Sequence, residues 1–231
     1  MILCCIIARM KIILIRHLKT DMEWREYYTA AEYDDAMQIY RQMHMPLVVG
    51  QQVVGGEYAF YCSTAPCTYD TIMRLFNVRD VTKTPLLDEV LLRSFTDDVK
   101  PRTLAEWQRK AKRQWRSGDA RQPETKVQTE ARAEELLKML ERANKDCVLV
   151  SHAFYLRTVI KRLKAHGYVV ERPGFFSIGF GERMRATKRS EHCGGCRYNC
   201  VLTNPACEVG RDKAIMRRIK MISENAGRAR F

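Results

Sequence analysis

Two histidines directly follow short apolar runs that predict buried β-strands. Residues 12–15 form the first run and lead into Arg16 and His17, whereas residues 148–150 form the second and lead towards His152. Unbroken apolar runs of this length suit strands buried on both faces, as in a parallel sheet. Ligands of open α/β sheets bind beyond the carboxyl ends of the strands. If the two strands are neighbours, one sheet edge carries two imidazoles and a guanidinium, which suits a phosphate site containing a nucleophile.

A helix is predicted directly after the second histidine, because Leu156, Val159, Ile160 and Leu163 follow helical spacing. His152 therefore lies near a helix N-terminus, where backbone N–H groups and the helix dipole favour an anion. A single histidine at the end of a strand is most often structural. Because the pattern occurs twice, once with an adjacent arginine, we interpret it as a phosphate site.

Three segments of the chain resemble the histidine phosphatase superfamily, the phosphoglycerate mutase-like proteins. RHLKT at residues 16–20 resembles the family's RHG-type signature, and VLVSHAFYLR at residues 148–157 resembles its second-histidine motif. Between them, LLDEVLLRSF at residues 86–95 resembles the segment that carries the family's acidic residue. The resemblance extends over residues 11–185, and the order and spacing of the three segments make it specific.

The resemblance implies a role for each of these side chains. His17 would take the phosphoryl group covalently, while Arg16 and His152 would hold the phosphate. Glu89 matches the acid position and would protonate the leaving oxygen, which requires a raised pKa. This chemistry needs no metal or other cofactor. The further substrate-binding candidates are Thr20, Ser63 and Arg74.

The chain departs from the family pattern at a position that normally holds phosphate. Residues 63–76, STAPCTYDTIMRLF, resemble the family's S-x-x-x-R-x-x-x-T motif, with Ser63 and Thr71 in register and Cys67 at the arginine position. That arginine normally binds phosphate through charged hydrogen bonds. After His17, Leu18 and Glu23 also stand where the pattern has Gly and Asn.

A replacement cation is therefore sought elsewhere, and the sequence offers Lys19, Arg74 and Arg93. Arg74 follows Cys67 by seven residues, so the two share one face of the predicted helix. Lysine cannot copy the bidentate grip of arginine on a phosphate. Arg74 is the candidate that we assign to substrate binding.

A cysteine-rich segment follows the family-like region. Its thiols have the spacing C-x2-C-x3-C-x6-C, and the Gly-Gly between the first two permits a tight turn: Cys193, Cys196, Cys200 and Cys207. Four sulfurs suit tetrahedral zinc in a structural site that helps a small tail to fold. An iron–sulfur cluster and plain thiols are the alternatives, and His192 is an alternative to one thiolate.

Positive charge is concentrated in the same tail. The chain of 231 residues has a formal net charge of +13, and residues 183–231 contain twelve Lys or Arg and four Asp or Glu. Such a surface would attract a polyanion or nucleic acid. A solvated basic surface without a specific ligand is the alternative.

The domain organisation follows from these segments. We predict an α/β domain at residues 10–185, a three-layer sandwich with a mostly parallel central sheet flanked by helices, and a cysteine-rich basic appendage at residues 186–231. Residues 1–9 are interpreted as an N-terminal extension, with a short strand extension as the alternative. No run approaches the ~20 apolar residues of a membrane span, so no membrane partner is expected. Nine cysteines without a convincing secretory signal favour the reducing cytoplasm.

Two functions remain open at this point. The first is hydrolysis of a small phosphorylated substrate, or phosphoryl transfer, through a phosphohistidine on His17. The second is a catalytically weakened binding module, because Cys67 replaces a phosphate-binding arginine; its tail would engage nucleic acid or a protein. Loss of one charged phosphate ligand slows an enzyme without abolishing it, so the phosphatase is preferred.

Overall fold

The computed structural model describes residues 10–45, 57–171 and 178–188. All of them belong to the first of the two units into which the chain divides, Met1–Lys188. The predicted N-terminal extension and the tail with Cys193, Cys196, Cys200 and Cys207 lie outside the described residues. The zinc site therefore stays a prediction.

Six strands of the described chain form one sheet in the order β4-β3-β6-β1-β8-β7. Four of them run parallel to one another: β1 (Lys11–Arg16), β3 (Ala59–Cys62), β4 (Val81–Lys83) and β6 (Cys147–Ser151). Two antiparallel strands close one side, β7 (Tyr168–Glu171) and β8 (Arg183–Lys188). The mostly parallel sheet predicted from the apolar runs is confirmed, and β1 and β6 are direct neighbours.

Helices cover both faces of this sheet, as predicted. They are α1 (Ala30–Gln42), α2 (Pro66–Phe76), α3 (Leu104–Ser117), α4 (Lys126–Ala143) and α5 (Ala153–Ala165), with a short 3-10 helix at Pro85–Leu87. Ile12, Leu14 and Leu149 pack in one core cluster with α4 and α5. Ile15, Val148 and Val150 pack in a second cluster with Ile72 and Phe76 of α2. Successive strand residues face opposite sides, so both faces must be apolar, which explains the unbroken runs.

Local signals define the ends of several helices. Thr29 and Glu32 form a capping box at the start of α1, and Thr125 and Gln128 form another at the start of α4. Such boxes satisfy backbone N–H groups that the first turn leaves unpaired. Asn144 ends α4 in the left-handed conformation, which asparagine tolerates better than most residues.

A small lobe with its own two-stranded sheet positions α1 beside the end of the six-stranded sheet. Its two-stranded sheet pairs β2 (Tyr27–Tyr28) with β5 (Arg102–Thr103). Trp107 of α3 is completely buried, stacks on Tyr33 of α1 at 5.6 Å between ring centroids, and donates its indole N–H to the carbonyl of Tyr28 at 2.8 Å. This packing fixes α1, whose last turns reach the candidate site.

None of the helices in the described ranges is both long enough and apolar enough to cross a lipid bilayer.

Candidate active site

The two histidines meet because β1 and β6 pair in register. Arg16 lies opposite Ser151, and the backbone N–H of His17 donates to the Ser151 carbonyl at 2.9 Å. The imidazole ring centroids of His17 and His152 are 4.9 Å apart. The side chains are almost inaccessible, with 1% of His17 and 4% of His152 exposed. The sheet edge predicted from the sequence therefore forms a buried histidine pair.

His17 is held as a neutral base with one defined tautomer. Its Nδ1 lies 2.7 Å from the carbonyl of Leu18, and a carbonyl only accepts, so Nδ1 carries the proton. Nε2 then has the free lone pair and accepts from the Tyr40 hydroxyl at 3.1 Å. Burial, opposed by the Leu18 carbonyl and assisted by the nearby Arg16 charge, lowers the pKa of His17 to about 4. Its Nε2 is therefore unprotonated at neutral pH.

Arg16 is clamped from three directions. Its Nη1 donates to the Ile178 carbonyl at 2.7 Å, and its guanidinium carbon lies 3.4 Å from the centroid of the Phe180 ring. A hydrogen bond with Tyr40 fixes a third side. Gly181 donates its backbone N–H to the Arg16 carbonyl at 3.0 Å. The segment before β8 thus supports the guanidinium beside His17.

His152 is oriented from behind by a chain of hydroxyl groups. Its Nε2 lies 2.9 Å from the Ser63 hydroxyl, which lies 3.0 Å from the Thr68 hydroxyl, and Thr68 donates to the Ala65 carbonyl at 2.7 Å. If each group donates to the next, the chain ends at the carbonyl and Nε2 carries the imidazole proton. The Nδ1 atom of His152 is buried and has no hydrogen-bond partner among the described residues. Ser63, predicted to bind substrate, instead contacts the histidine.

Cys67 lies in the first turn of α2 and touches this pair. Its thiol is 1% exposed, and burial raises its pKa to about 12, so it is protonated at neutral pH. The ligand atoms of His17, Cys67 and His152 all lie within 4.8 Å of one another. Thr71 ties the same helix to the site, because its hydroxyl donates to the Cys67 carbonyl at 2.7 Å and accepts the Leu18 N–H at 3.0 Å.

Glu89 occupies the N-terminus of α5. Its Oε1 accepts the backbone N–H groups of Val90 and Tyr155, both at 2.9 Å, and its Oε2 accepts that of Phe154 at 3.3 Å. The sequence predicted that this helix end favours an anion, and the anion that binds there belongs to the chain itself. Burial raises the pKa of Glu89, although these three backbone donors and the Arg16 charge oppose the rise.

The segment that carries Glu89 is anchored to the rest of the domain. Ser151 donates its hydroxyl to the Leu87 carbonyl at 2.6 Å. Arg132 of α4 donates to the Asp88 carbonyl at 2.8 Å and pairs with Glu124 at 2.9 Å. The acid is therefore positioned by groups that the sequence did not single out.

A pocket of about 360 Å³ opens onto this arrangement. It is lined by Gln38, Arg41, Gln42, Thr64, Ala65, Pro66, Asp88, Glu89 and His152. The cation among them is Arg41 of α1. Burial is the main cause that lowers the pKa of His152, and nearby positive charge, including that of Arg41, adds to the shift. Sequence reasoning missed Arg41, because nothing local connects the end of α1 to the sheet edge.

The predicted replacement cations do not line this pocket. Arg74 shares the helix face of Cys67, but seven residues displace it by about 10 Å along the helix axis. Arg93 pairs with Asp34 at 3.5 Å and with Asp97 at 3.7 Å. Lys19 is exposed. Arg74 therefore does not line this pocket, and its assignment to substrate binding stays a prediction; Thr20 is buried beyond β1 and does not line the pocket either.

The family assignment agrees with this geometry. The family described as the histidine phosphatase superfamily (branch 1) matches residues 51–173, a stretch that includes Cys67, Glu89 and His152. The chain belongs to this family, and the resemblance noted from its motifs is confirmed. The match begins after His17. The placement of His17 at this site therefore rests on the structure and on the RHLKT segment, and not on the family match.

Several solved structures are similar to this chain at low sequence identity. Mycobacterial hydrolase 2 is 17% identical, with 79% of this chain and 84% of that chain covered and a TM-score of 0.45. Mycobacterial glucosyl-3-phosphoglycerate phosphatase is 18% identical, with 76% and 92% covered and a TM-score of 0.44. The alpha-ribazole phosphatase from Shigella flexneri is 17% identical, with 78% and 95% covered and a TM-score of 0.47. No curated protein matches this sequence significantly.

Proposed function

We propose that the protein hydrolyses phosphomonoesters through a phosphohistidine on His17. The observation that carries this proposal is the neutral imidazole of His17. The Leu18 carbonyl fixes its Nδ1–H at 2.7 Å, which leaves the Nε2 lone pair as an acceptor whose partner is the Tyr40 hydroxyl at 3.1 Å. A nucleophile needs a free lone pair at the operating pH. Hydrogen bonding at Nδ1 supplies the correct tautomer without any metal.

The first half-reaction uses three further groups. Nε2 attacks phosphorus, a bond from nitrogen to phosphorus forms, and the bond from phosphorus to the ester oxygen breaks. The departing oxygen takes a proton from Glu89, whose raised pKa favours the acid form. Arg16 would stabilise the charge that develops on the phosphoryl oxygens, and His152 would donate to them once its Nδ1 also carries a proton. The phosphoryl group would take the place of the Tyr40 hydroxyl at Nε2.

The second half-reaction returns the site to its starting state. Water attacks phosphorus, Glu89 now accepts the water proton, and the bond from phosphorus to Nε2 breaks to release inorganic phosphate. If the hydroxyl group of an acceptor molecule attacked phosphorus in place of water, the phosphoryl group would be transferred by the same steps. Phosphoryl transfer is therefore a variant of the proposal.

Arg41 is the replacement that we propose for the missing arginine. It lines the pocket together with Glu89 and His152, and it is the residue type that binds phosphate in bidentate fashion. A pocket of about 360 Å³ suits a small phosphorylated molecule. Asp88, which also lines the pocket, would repel further negative charge on a substrate and would accept hydrogen bonds from its hydroxyl groups.

The test is hydrolysis of an aryl phosphate by the purified protein and by His17→Ala, each with and without a chelator. We expect activity in the wild type that survives chelation and disappears in the variant. Phosphate bound covalently through nitrogen should be trapped by rapid acid-free quenching, because phosphohistidine is labile in acid. Equal hydrolysis by the two proteins would contradict the proposal.

A weakened binding module is the second candidate, and two observations favour it. Cys67 is a buried, protonated thiol where the family pattern has a phosphate-binding arginine, and the Tyr40 hydroxyl contacts the nucleophilic nitrogen at 3.1 Å. Retention on immobilised nucleic acid that falls steeply with salt would support it. No hydrolysis of several phosphomonoesters across pH would make it the preferred function.

A further inference from the structure

The contact between Cys67 and the two site histidines creates a set of metal-ligand atoms. All three residues are buried, and the ligand atoms they offer lie within 4.8 Å of one another. Within the described ranges, no other three His, Cys, Asp or Glu side chains gather as closely. The thiol stands where the family pattern has an arginine, so this set is a property of the present chain and not of the phosphate site in general.

Both imidazoles have a nitrogen lone pair available for a metal. His17 uses Nδ1 for the Leu18 carbonyl, which leaves Nε2 as an acceptor whose partner is a single tyrosine hydroxyl. His152 uses Nε2 for Ser63, and its Nδ1 is buried without a hydrogen-bond partner in the described part of the chain. An unpartnered buried acceptor is unusual, and a bound cation would satisfy it. The Leu18 carbonyl and the Ser63 hydroxyl are the outer partners that commonly orient metal-bound imidazoles.

We propose that His17, Cys67 and His152 bind a soft transition-metal ion, with Zn²⁺ the best fit, in the same pocket as the phosphoryl group. Two imidazoles and one thiolate form a tetrahedral zinc site with one open position. Bond lengths of about 2.0 Å to nitrogen and 2.3 Å to sulfur place such ligands about 3.3–3.6 Å apart. The three side chains therefore need to close by about 1 Å, which rotation of the side chains can supply.

The charges around the three ligands are compatible with a cation of this kind. Both histidines are neutral, so they give up no proton, whereas Cys67 must lose its proton to the solvent when the metal binds. Arg16 and Arg41 oppose a divalent ion. The Cys67 thiolate offsets part of that repulsion, and the Glu89 carboxylate, whose charge acts on Arg16, offsets more.

Metal binding has a direct consequence for the nucleophile. An ion coordinated by Nε2 of His17 occupies the lone pair that would attack phosphorus, so zinc and phosphoryl transfer exclude each other. This consequence rests on the proposed phosphatase function. Binding of the ion does not, because it needs only the three side chains.

The test compares zinc bound per chain in the wild type, in Cys67→Ser and in Cys147→Ser, by equilibrium dialysis and metal analysis. Cys147 is a matched control: both thiols are 1% exposed, and Cys147 starts β6 about 13 Å from the strand end that carries the site. Any zinc bound by the predicted tail cysteines is common to all three proteins. We expect Cys67→Ser to bind one Zn²⁺ fewer, and Cys147→Ser to match the wild type.

Cobalt identifies the ligands independently of stoichiometry and of activity. With Co²⁺, the wild type should show stronger thiolate-to-cobalt charge-transfer absorption than Cys67→Ser. His152→Ala should weaken cobalt binding at the site more than about tenfold, since loss of even an outer-shell partner costs 10- to 100-fold in metal affinity. Circular dichroism checks that each variant is folded. If Cys67→Ser is not folded, His152→Ala replaces it in the zinc measurement. Equal zinc stoichiometry in the wild type and the folded variants would overturn the proposal. Zinc bound at Cys67 in a protein whose zinc-free form also lacks phosphatase activity would support the metal site and reject only the proposed function.

Discussion

The carboxylate of Glu89 lies at the N-terminus of α5, with its Oε1 2.9 Å from the backbone nitrogen of Tyr155. The same helix begins directly after His152, so one helix end positions both the second histidine and the acid. Burial raises the pKa of Glu89 while the helix end lowers it. A raised pKa is what a carboxyl group needs to donate a proton to a leaving group, so this environment supports the proposed role of Glu89 as acid and base.

Replacing Glu89 by glutamine should slow hydrolysis by about 10²–10⁴-fold, the usual contribution of general acid catalysis. The effect should depend on the leaving group, because a nitrophenolate departs without protonation and an alkoxide does not. Hydrolysis of nitrophenyl phosphate and of an alkyl phosphate by Glu89→Gln measures this difference. Glu134→Gln is the matched control, since Glu134 pairs with His166 and does not line the pocket. An equal loss on both esters would contradict the role of Glu89 as an acid.

Replacing Arg41 by methionine should lower kcat/KM for a phosphomonoester by about 10²–10³-fold, the scale observed when one preorganised donor is removed from a charged transition state. Methionine keeps most of the length and removes the charge. Arg74→Met provides the control, because Arg74 lies on α2 outside the pocket lining, and its kcat/KM should stay within about twofold of the wild type. Steady-state kinetics of the wild type, Arg41→Met and Arg74→Met show which arginine binds the phosphate. If Arg74→Met shows the larger loss, the sequence-based assignment was correct and the replacement cation is Arg74.

Gly181 should resist substitution for two separable reasons. Its φ of +72° disfavours any side chain, and an added Cβ would lie 2.8 Å from Cδ2 of Leu18, which stands where the family pattern has glycine. Gly118 shares the first feature, with φ of +79°, but has no atom within 4 Å of an added Cβ. Gly118→Ala should therefore cost about 1 kcal/mol in the free energy of unfolding. Gly181→Ala should cost about 0.5–1 kcal/mol more, because the contacted atom is a terminal methyl group of Leu18 that can rotate aside.

Urea unfolding of both alanine variants measures this difference. Shortening Leu18 to alanine in the Gly181→Ala protein should recover the excess, because it removes the contacted methyl groups and leaves the φ penalty. Equal destabilisation by the two glycine substitutions would show that the loop carrying Leu18 adapts without cost.

Sequence alone determined the elements that bring the histidines to the sheet edge. Two unbroken apolar runs predicted β1 and β6, because a strand buried on both faces must be apolar at every position. The starts of α1 and α4 are equally local, because the capping pairs Thr29 with Glu32 and Thr125 with Gln128 act within one turn. His17 and His152 were singled out because each follows an apolar run, whereas Glu89 was assigned from the resemblance to the family's acidic segment.

Tertiary structure alone decided which side chains surround the histidines. Arg41 and Tyr40 arrive from α1, whose position depends on the packing of Tyr33 against Trp107 more than sixty residues away. Helical periodicity placed Arg74 on the face of Cys67, but periodicity specifies an angle around the axis and ignores the distance along it. The helix end that was expected to hold substrate is bound by Glu89, since any buried anion of the chain can satisfy the same backbone donors. The contact between Cys67 and both histidines likewise depends on α2 packing across β1 and β6, which no local pattern encodes.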